Sequence, residues 1–320
     1  MSPQRDSFDL YGEPPLLREW RLRVDGGHEL QVREWGSAAG IPALVLHGGP
    51  GSGCSPLLAR FFDPARFRVI GMDQRGAGAS LPSGGTLHNT TTDLLADLRC
   101  LRRALGVTRW LVVGGSWGAT LALLHAIDAP EAVAGLLLRG LFLARAQDLA
   151  SFFEPHGWAH WQPSVGSLVD RLDQSLHFGA PAEQAQLVRH WWAWEQKMDS
   201  APAAAEPPLD ALLQRYRIQA HYLRHSCWLT EPPLLDRLHR VPAVPLRMLH
   251  GSGDRICPIA GARAAAARLP LAQWIEVSGA GHSPTHPAMV SAMVSSLDNW
   301  SRSGRFDGHV DEDLKDSAEP

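Results

Sequence analysis

Short apolar runs alternate with longer segments of helical period along most of this 320-residue chain, and that alternation predicts its elements. Leu17 to Val24 and Glu29 to Trp35 alternate in polarity around Asp25-Gly26-Gly27-His28, which predicts a β-hairpin at a sheet edge. Ala43 to Leu46, Phe67 to Met72, Trp110 to Val113, Val133 to Leu138, Val244 to Leu249 and Gln273 to Val277 are continuous apolar or near-apolar runs too short for helices, so they read as strands. Between them, Leu94 to Leu105, Ala119 to Ile127, Ile259 to Leu269 and Pro287 to Trp300 carry apolar residues at helical spacing, the first behind the capping residues Asn89-Thr90-Thr91-Thr92-Asp93. Strand and helix in alternation predict an α/β fold with a mostly parallel sheet flanked by helices on both faces.

From about Leu141 to Arg240 the pattern changes. This stretch is helical and aromatic, with Trp158, Trp161, Trp191, Trp192, Trp194 and Trp228, and it holds an alanine-proline surface loop at Pro202 to Pro208. The expected organisation is therefore a core built from 1–140 and 241–302, an inserted helical cap over 141–240, and a disordered polar tail at 303–320. Residues 1 to about 16 read as an arm that packs on the surface or frays.

Composition narrows the function. With 45% apolar residues the chain can bury a large core, while a formal charge of −3 offers no basic field for nucleic acid and no polybasic segment for anionic lipid. The N-terminus lacks an apolar signal core and no stretch reaches about 18 uninterrupted apolar residues, so a cytoplasmic location and no membrane partner are expected. The four cysteines, Cys54, Cys100, Cys227 and Cys257, are scattered without Cys-x-x-Cys spacing, which indicates neither a zinc knuckle nor a disulfide framework. His221 and His225 have the four-residue spacing of a metal pair, yet no acidic ligand accompanies them, and a packed helix face is the simpler reading. No metal or cofactor is expected.

The chemistry gathers at strand ends. Gly114-Gly115-Ser116-Trp117-Gly118 matches Gly-x-Ser-x-Gly, a strand-to-helix turn that forces a serine into a strained conformation and pushes its hydroxyl out of the fold. A serine is a poor nucleophile at neutral pH and needs a base, and the base needs a carboxylate to fix its tautomer. Asp254, in Gly251-Ser252-Gly253-Asp254, and His282, in Gly279-Ala280-Gly281-His282, follow later strands, and the order Ser, Asp, His is that of α/β-hydrolases. Ser116, Asp254 and His282 are thus the expected triad. His47 competes as the base, but its place beside the loop His47-Gly48-Gly49-Pro50-Gly51-Ser52-Gly53 favours bracing that loop. The oxyanion hole is expected from the amides of Trp117 and Gly49, each such donor supplying about 3 to 4 kcal/mol of transition-state stabilisation. Asp73 and Arg75 read as a buried pair bracing the following loop.

Taken together, His47-Gly48-Gly49-Pro50-Gly51, Asp73-Gln74-Arg75-Gly76-Ala77-Gly78, Asn89-Thr90-Thr91, Gly114 to Gly118, Leu138 to Phe142 and Gly279-Ala280-Gly281-His282-Ser283 resemble the prolyl aminopeptidases, or proline iminopeptidases. The resemblance implies an α/β-hydrolase fold with a helical cap and a metal-free serine aminopeptidase that releases an N-terminal proline from small peptides through an acyl-enzyme. It places Phe142, Phe152 and Cys257 in a pyrrolidine pocket and Glu195 at a position that holds the substrate's amino group. The second such glutamate of the family falls where this chain has Gln219. Glutamine accepts a hydrogen bond but does not neutralise an ammonium, so an esterase or amidase for small hydrophobic substrates stands as the alternative activity. A non-catalytic binding protein on the same fold stands as the alternative class. Oligomeric state is not legible.

Overall fold

The computed structural model describes residues 9–199 and 205–307. Eight strands form one sheet: β1 (Leu16–Arg23), β2 (Glu29–Gly36), β3 (Ile41–Leu46), β4 (Phe67–Met72), β5 (Trp110–Gly115), β6 (Val133–Arg139), β7 (Leu246–Gly251) and β8 (Ala272–Val277). Their spatial order is β1-β2-β4-β3-β5-β6-β7-β8. Only the β1–β2 and β2–β4 pairs are antiparallel; from β4 through β8 every pair is parallel. The central strands are apolar on both faces because both are covered, and each feeds a polar turn at its carboxyl end.

The helices are α1 (Thr91–Leu105), α2 (Trp117–Asp128), α3 (Ala146–Phe152), α4 (Leu168–Phe178), α5 (Pro181–Met198), α6 (Leu209–Arg224), α7 (Leu234–Arg237), α8 (Ile259–Ala266) and α9 (Pro287–Ser303). Helix α1 starts on a capping box in which Thr90 and Asp93 satisfy each other's backbone donors. Helix α2 is buried over ten of its twelve residues, which is why its sequence is apolar all round rather than striped. The five helices α3 to α7 lie in sequence between β6 and β7, and that interval adds no strand to the sheet among the described residues. Their packing is aromatic: Trp158, Trp191 and Phe153 meet edge to face, and Trp191 stacks on Tyr216 at 4.9 Å. No helix of the described residues is long and apolar enough to cross a membrane.

Two details differ from expectation. Asp73 and Arg75 do not pair: Asp73 accepts from the amides of Cys54 (2.6 Å) and Ala79 (3.0 Å) and from Arg33 (3.2 Å), whereas Arg75 is buried against Asp97 (2.7 Å). The turn after β4 sends the two side chains to different neighbours, so each braces a different element. In the stretch expected to be a tail, Ser303 still belongs to α9 and Phe306 is buried against Trp300, with ring centroids 5.0 Å apart. The rest of that stretch, 308–320, lies outside the described residues, as do 202–204 of the alanine-proline segment with the two residues before it, and 1–8 of the N-terminal arm. Further along that arm, the Tyr11 hydroxyl donates to Asp298 Oδ1 at 2.7 Å.

Candidate active site

The site begins with the turn between β5 and α2. Ser116 has φ 57° and ψ −124°, a region that side chains avoid, and the turn is affordable only because its neighbours lack a Cβ. A Cβ on Gly118 would lie 2.0 Å from the carbonyl oxygen of Leu46, and one on Gly114 would lie 2.2 Å from that of Gly118. The Ser116 amide donates to the carbonyl of Arg139 at 2.8 Å, tying the turn to the end of β6. Trp117 opens α2, so its N–H has no carbonyl four residues back in the helix and lies at the positive end of the dipole. Its ring is spent elsewhere: Nε1 donates to Gln74 at 2.9 Å and the indole packs on Tyr222.

Asp254 and His282 come from the turns after β7 and β8. His282 Nδ1 and Asp254 Oδ2 are 2.8 Å apart, and Asp254 Oδ1 accepts from the amides of Ile256 (3.0 Å) and Cys257 (2.8 Å). Both carboxylate oxygens are therefore engaged, and Nδ1 is the nitrogen that carries the proton toward the acid. Burial alone favours neutral imidazole, yet the adjoining Asp254 carboxylate, with a smaller contribution from Cys257, outweighs it and raises His282 above the ordinary histidine value. Burial also works against the Asp254 charge, but the imidazolium and the hydrogen bonds from His282 and Cys257 hold the acid below its ordinary value. The Cys257 thiol is buried and pushed up, so it stays protonated at neutral pH.

Ser116 Oγ lies 3.9 Å from Cys257 Sγ and makes no hydrogen bond to His282 among the described residues. Cys257 is thus the side chain that Ser116 Oγ meets. One small cavity of about 40 Å³ is lined by Gly49, Ser116, Phe142, Phe152, Gln219 and Cys257 together with the apolar Leu149, Phe153, Leu223 and Ile256. All but one of the expected substrate-side residues therefore share a cavity with Ser116. The aromatic walls are fixed by hydrogen bonds to their backbones, from the Thr120 hydroxyl of α2 to the carbonyl of Phe142 and from Trp194 Nε1 of α5 to that of Phe152 at 2.8 Å. Glu195 sits one layer out. Its Oε2 accepts from Arg215 (2.5 Å) and Tyr216 (3.0 Å), and its Oε1 accepts from Gln219 (3.1 Å).

His47 does not compete for the role of base. Its Nε2 accepts from the Gln74 amide at 3.0 Å, its Nδ1 lies 2.9 Å from the Gly48 carbonyl, and burial lowers its pKa. His221 and His225 form a packed face: the first bonds the Asn89 carbonyl and the second stacks on Trp228 at 4.9 Å with the planes 4° apart. Sequence reading missed two residues around the acid and base. Arg139, buried at the end of β6, donates from Nη1 to the His282 carbonyl, and His250 Nε2 lies 3.6 Å from Asp254 Oδ2 while bonding the Cys257 carbonyl at 2.8 Å. A charged residue closing an apolar strand was the available signal for Arg139; nothing in the local pattern marked His250.

An eight-stranded, mostly parallel sheet, a strained serine between β5 and α2, and an acid and a histidine at later strand ends define the α/β-hydrolase class, and the sequence model described as alpha/beta hydrolase fold matches residues 42–286. Solved structures agree at the level of fold: an alpha/beta hydrolase fold protein from Burkholderia ambifaria superposes with a TM-score of 0.63 at 22% identity, covering 90% of this chain and 99% of its own. An esterase from Exiguobacterium antarcticum gives 0.63 at 19% identity, covering 88% and 99%. Within that class the chain belongs to the proline iminopeptidase family. A proline iminopeptidase of Xylella fastidiosa is 34% identical over 309 residues, 91% of this chain and 99% of the relative. One from Neisseria gonorrhoeae is 34% identical over 293 residues (87% and 94%), and one from Arabidopsis thaliana is 33% identical over 306 (89% and 80%).

Proposed function

We propose that this chain is a serine aminopeptidase that releases an N-terminal proline from small peptides. The observation that carries the reading is the 2.8 Å bond between His282 and Asp254, whose Oδ1 holds the amide of Cys257, a residue that shares the cavity with Ser116, in a chain of this family. In this reading Ser116 Oγ turns from Cys257 toward His282, gives its proton to the imidazole, and attacks the substrate carbonyl. The oxyanion is met by the amides of Trp117 and Gly49. His282 then returns the proton to the leaving amine, and a water activated by the same imidazole hydrolyses the acyl-enzyme. Helices α3 to α7 serve as a cap that supplies the aromatic walls and excludes water from the acyl group.

The test is a panel of L-proline and L-alanine arylamides, each with a free and an acetylated nitrogen. Proline arylamide with a free nitrogen is expected to be cleaved fastest, and Ser116→Ala is expected to remove at least about a thousandfold of that rate. Retained cleavage in the alanine variant sinks the assignment. An esterase or amidase activity is the second reading, favoured by one observation: the amine-side position holds the uncharged Gln219. Faster turnover of short acyl esters than of any proline arylamide, both lost with Ser116→Ala, would select it.

A further inference from the structure

The inner face of α6 presents an amide whose orientation is set by its surroundings. Gln219 is 8% exposed, and its Nε2 donates to Glu195 Oε1 at 3.1 Å, which only the NH2 end of the amide can do. Its Oε1 consequently points away from the carboxylate, is buried, and has no hydrogen-bond partner among the described residues. Gln219 lines the same cavity as Ser116, where the other side chains are aromatic, aliphatic or the Cys257 thiol. A buried carbonyl without a donor is costly and is relieved by a ligand that brings one.

The charge behind that amide is already spent. Glu195 receives Arg215 at 2.5 Å, Tyr216 and Gln219, so the carboxylate and guanidinium cancel and both oxygens of the acid already accept hydrogen bonds. No carboxylate lines the cavity itself. The charged and titratable groups around Gln219 are Glu195 on α5, Arg215 and Tyr216 on α6, and, across the cavity, Cys257 backed by His282 and Asp254. His47 also feels the Arg215 charge. An ammonium entering here would lose its water and meet a neutral carbonyl with a compensated ion pair behind it, whereas a neutral amine needs one acceptor for its N–H and finds one.

Resting on the proline-releasing reading above, we propose that Gln219 is a specificity-determining residue whose carbonyl, standing where a carboxylate would favour an ammonium, binds the substrate's terminal nitrogen as a neutral N–H donor.

The experiment compares kcat/KM for L-proline p-nitroanilide and cyclopentanecarboxylic acid p-nitroanilide, the same ring without the nitrogen, from pH 6 to 9.5. Titration of His282 acts on both substrates and cancels in their ratio. The proline-to-cyclopentane ratio is expected to rise about tenfold per pH unit until the amine's own pKa, about 8 for an α-amine, and then to level. Gln219→Met is expected to keep the slope and lose roughly tenfold at the plateau, the worth of one hydrogen bond. Gln219→Glu is expected to reverse the slope, favouring proline at pH 6. A wild-type ratio that is flat or falls with pH, or a Gln219→Met plateau equal to wild type, overturns the proposal while leaving the peptidase reading intact. Hydrolysis of neither anilide overturns that reading and this inference with it.

Discussion

In the proposed mechanism the histidine that takes the proton of Ser116 must first be uncharged, and here its carboxylate partner works against that. Burial opposes the imidazolium, but Asp254 at 2.8 Å, with Cys257 beside it, raises His282, so the basic form becomes available only as pH rises past the ordinary histidine value. The expected pH profile of kcat/KM on a substrate without an ionisable nitrogen therefore climbs through an alkaline limb above pH 7. Asp254→Asn should move that limb downward and cut kcat by about four orders of magnitude, because the amide no longer selects the productive tautomer. A limb that stays in place in that variant would detach Asp254 from His282. The same pair bears on stability with opposite signs at its two ends. The raised His282 contributes fully below its unfolded value and loses that contribution as pH climbs through about 10, and the depressed Asp254 contributes above its unfolded value and loses it as the medium acidifies. The strained turn at Ser116 and the strand-end positions of Asp254 and His282 were readable because each follows an apolar run that ends in small residues. The partners of Glu195 were not, since the pairing with Arg215 and Gln219 spans 20 and 24 positions and depends on how α5 meets α6.

Between residue and fold, the element that matters most is the turn joining β5 to α2. Its glycines do more than make room for the positive φ of Ser116, because Gly118 lies against the backbone of β3 and Gly114 against Gly118. Gly118→Ala is expected to destabilise the protein by about 1–3 kcal/mol by forcing α2 off the sheet, read as a lowered urea midpoint with an unchanged slope. Unchanged stability would show that α2 has room the geometry denies it. The glycines were visible in the sequence, and so was the strand before them, but β5 runs two residues past the apolar stretch, to Gly115, because the parallel pairing with β6 persists after the hydrophobic pattern stops. The helices between β6 and β7 were legible only as helical and aromatic, for their boundaries are set by which face each turns to its neighbours, and in α5 the buried set includes a carboxylate, Glu195, beside its tryptophans.

At the scale of the whole molecule, alternation of strand and helix gave the class of fold, while the order of strands, with β4 between β2 and β3, is a long-range result that local pattern does not carry. The molecule also joins regions the chain keeps apart. Beyond the last turn of α5, Asp199 Oδ1 accepts from the Ser283 amide at 3.2 Å, and Arg255 donates to the carbonyls of Lys197 and Met198, so the helix that carries Glu195 is tied to both the His282 and the Asp254 turns. In the proposed reading, substrate side and reacting side are thereby built as one frame around Ser116. The measurement that bears on this account most directly is mass-spectrometric mapping of the full chain after exposure to a fluorophosphonate, alongside proline arylamide turnover of the same samples. The account predicts a single adduct on Ser116, formed in step with loss of turnover and missing from the Ser116→Ala variant. An adduct on another residue, or turnover that persists with Ser116 fully labelled, would contradict it.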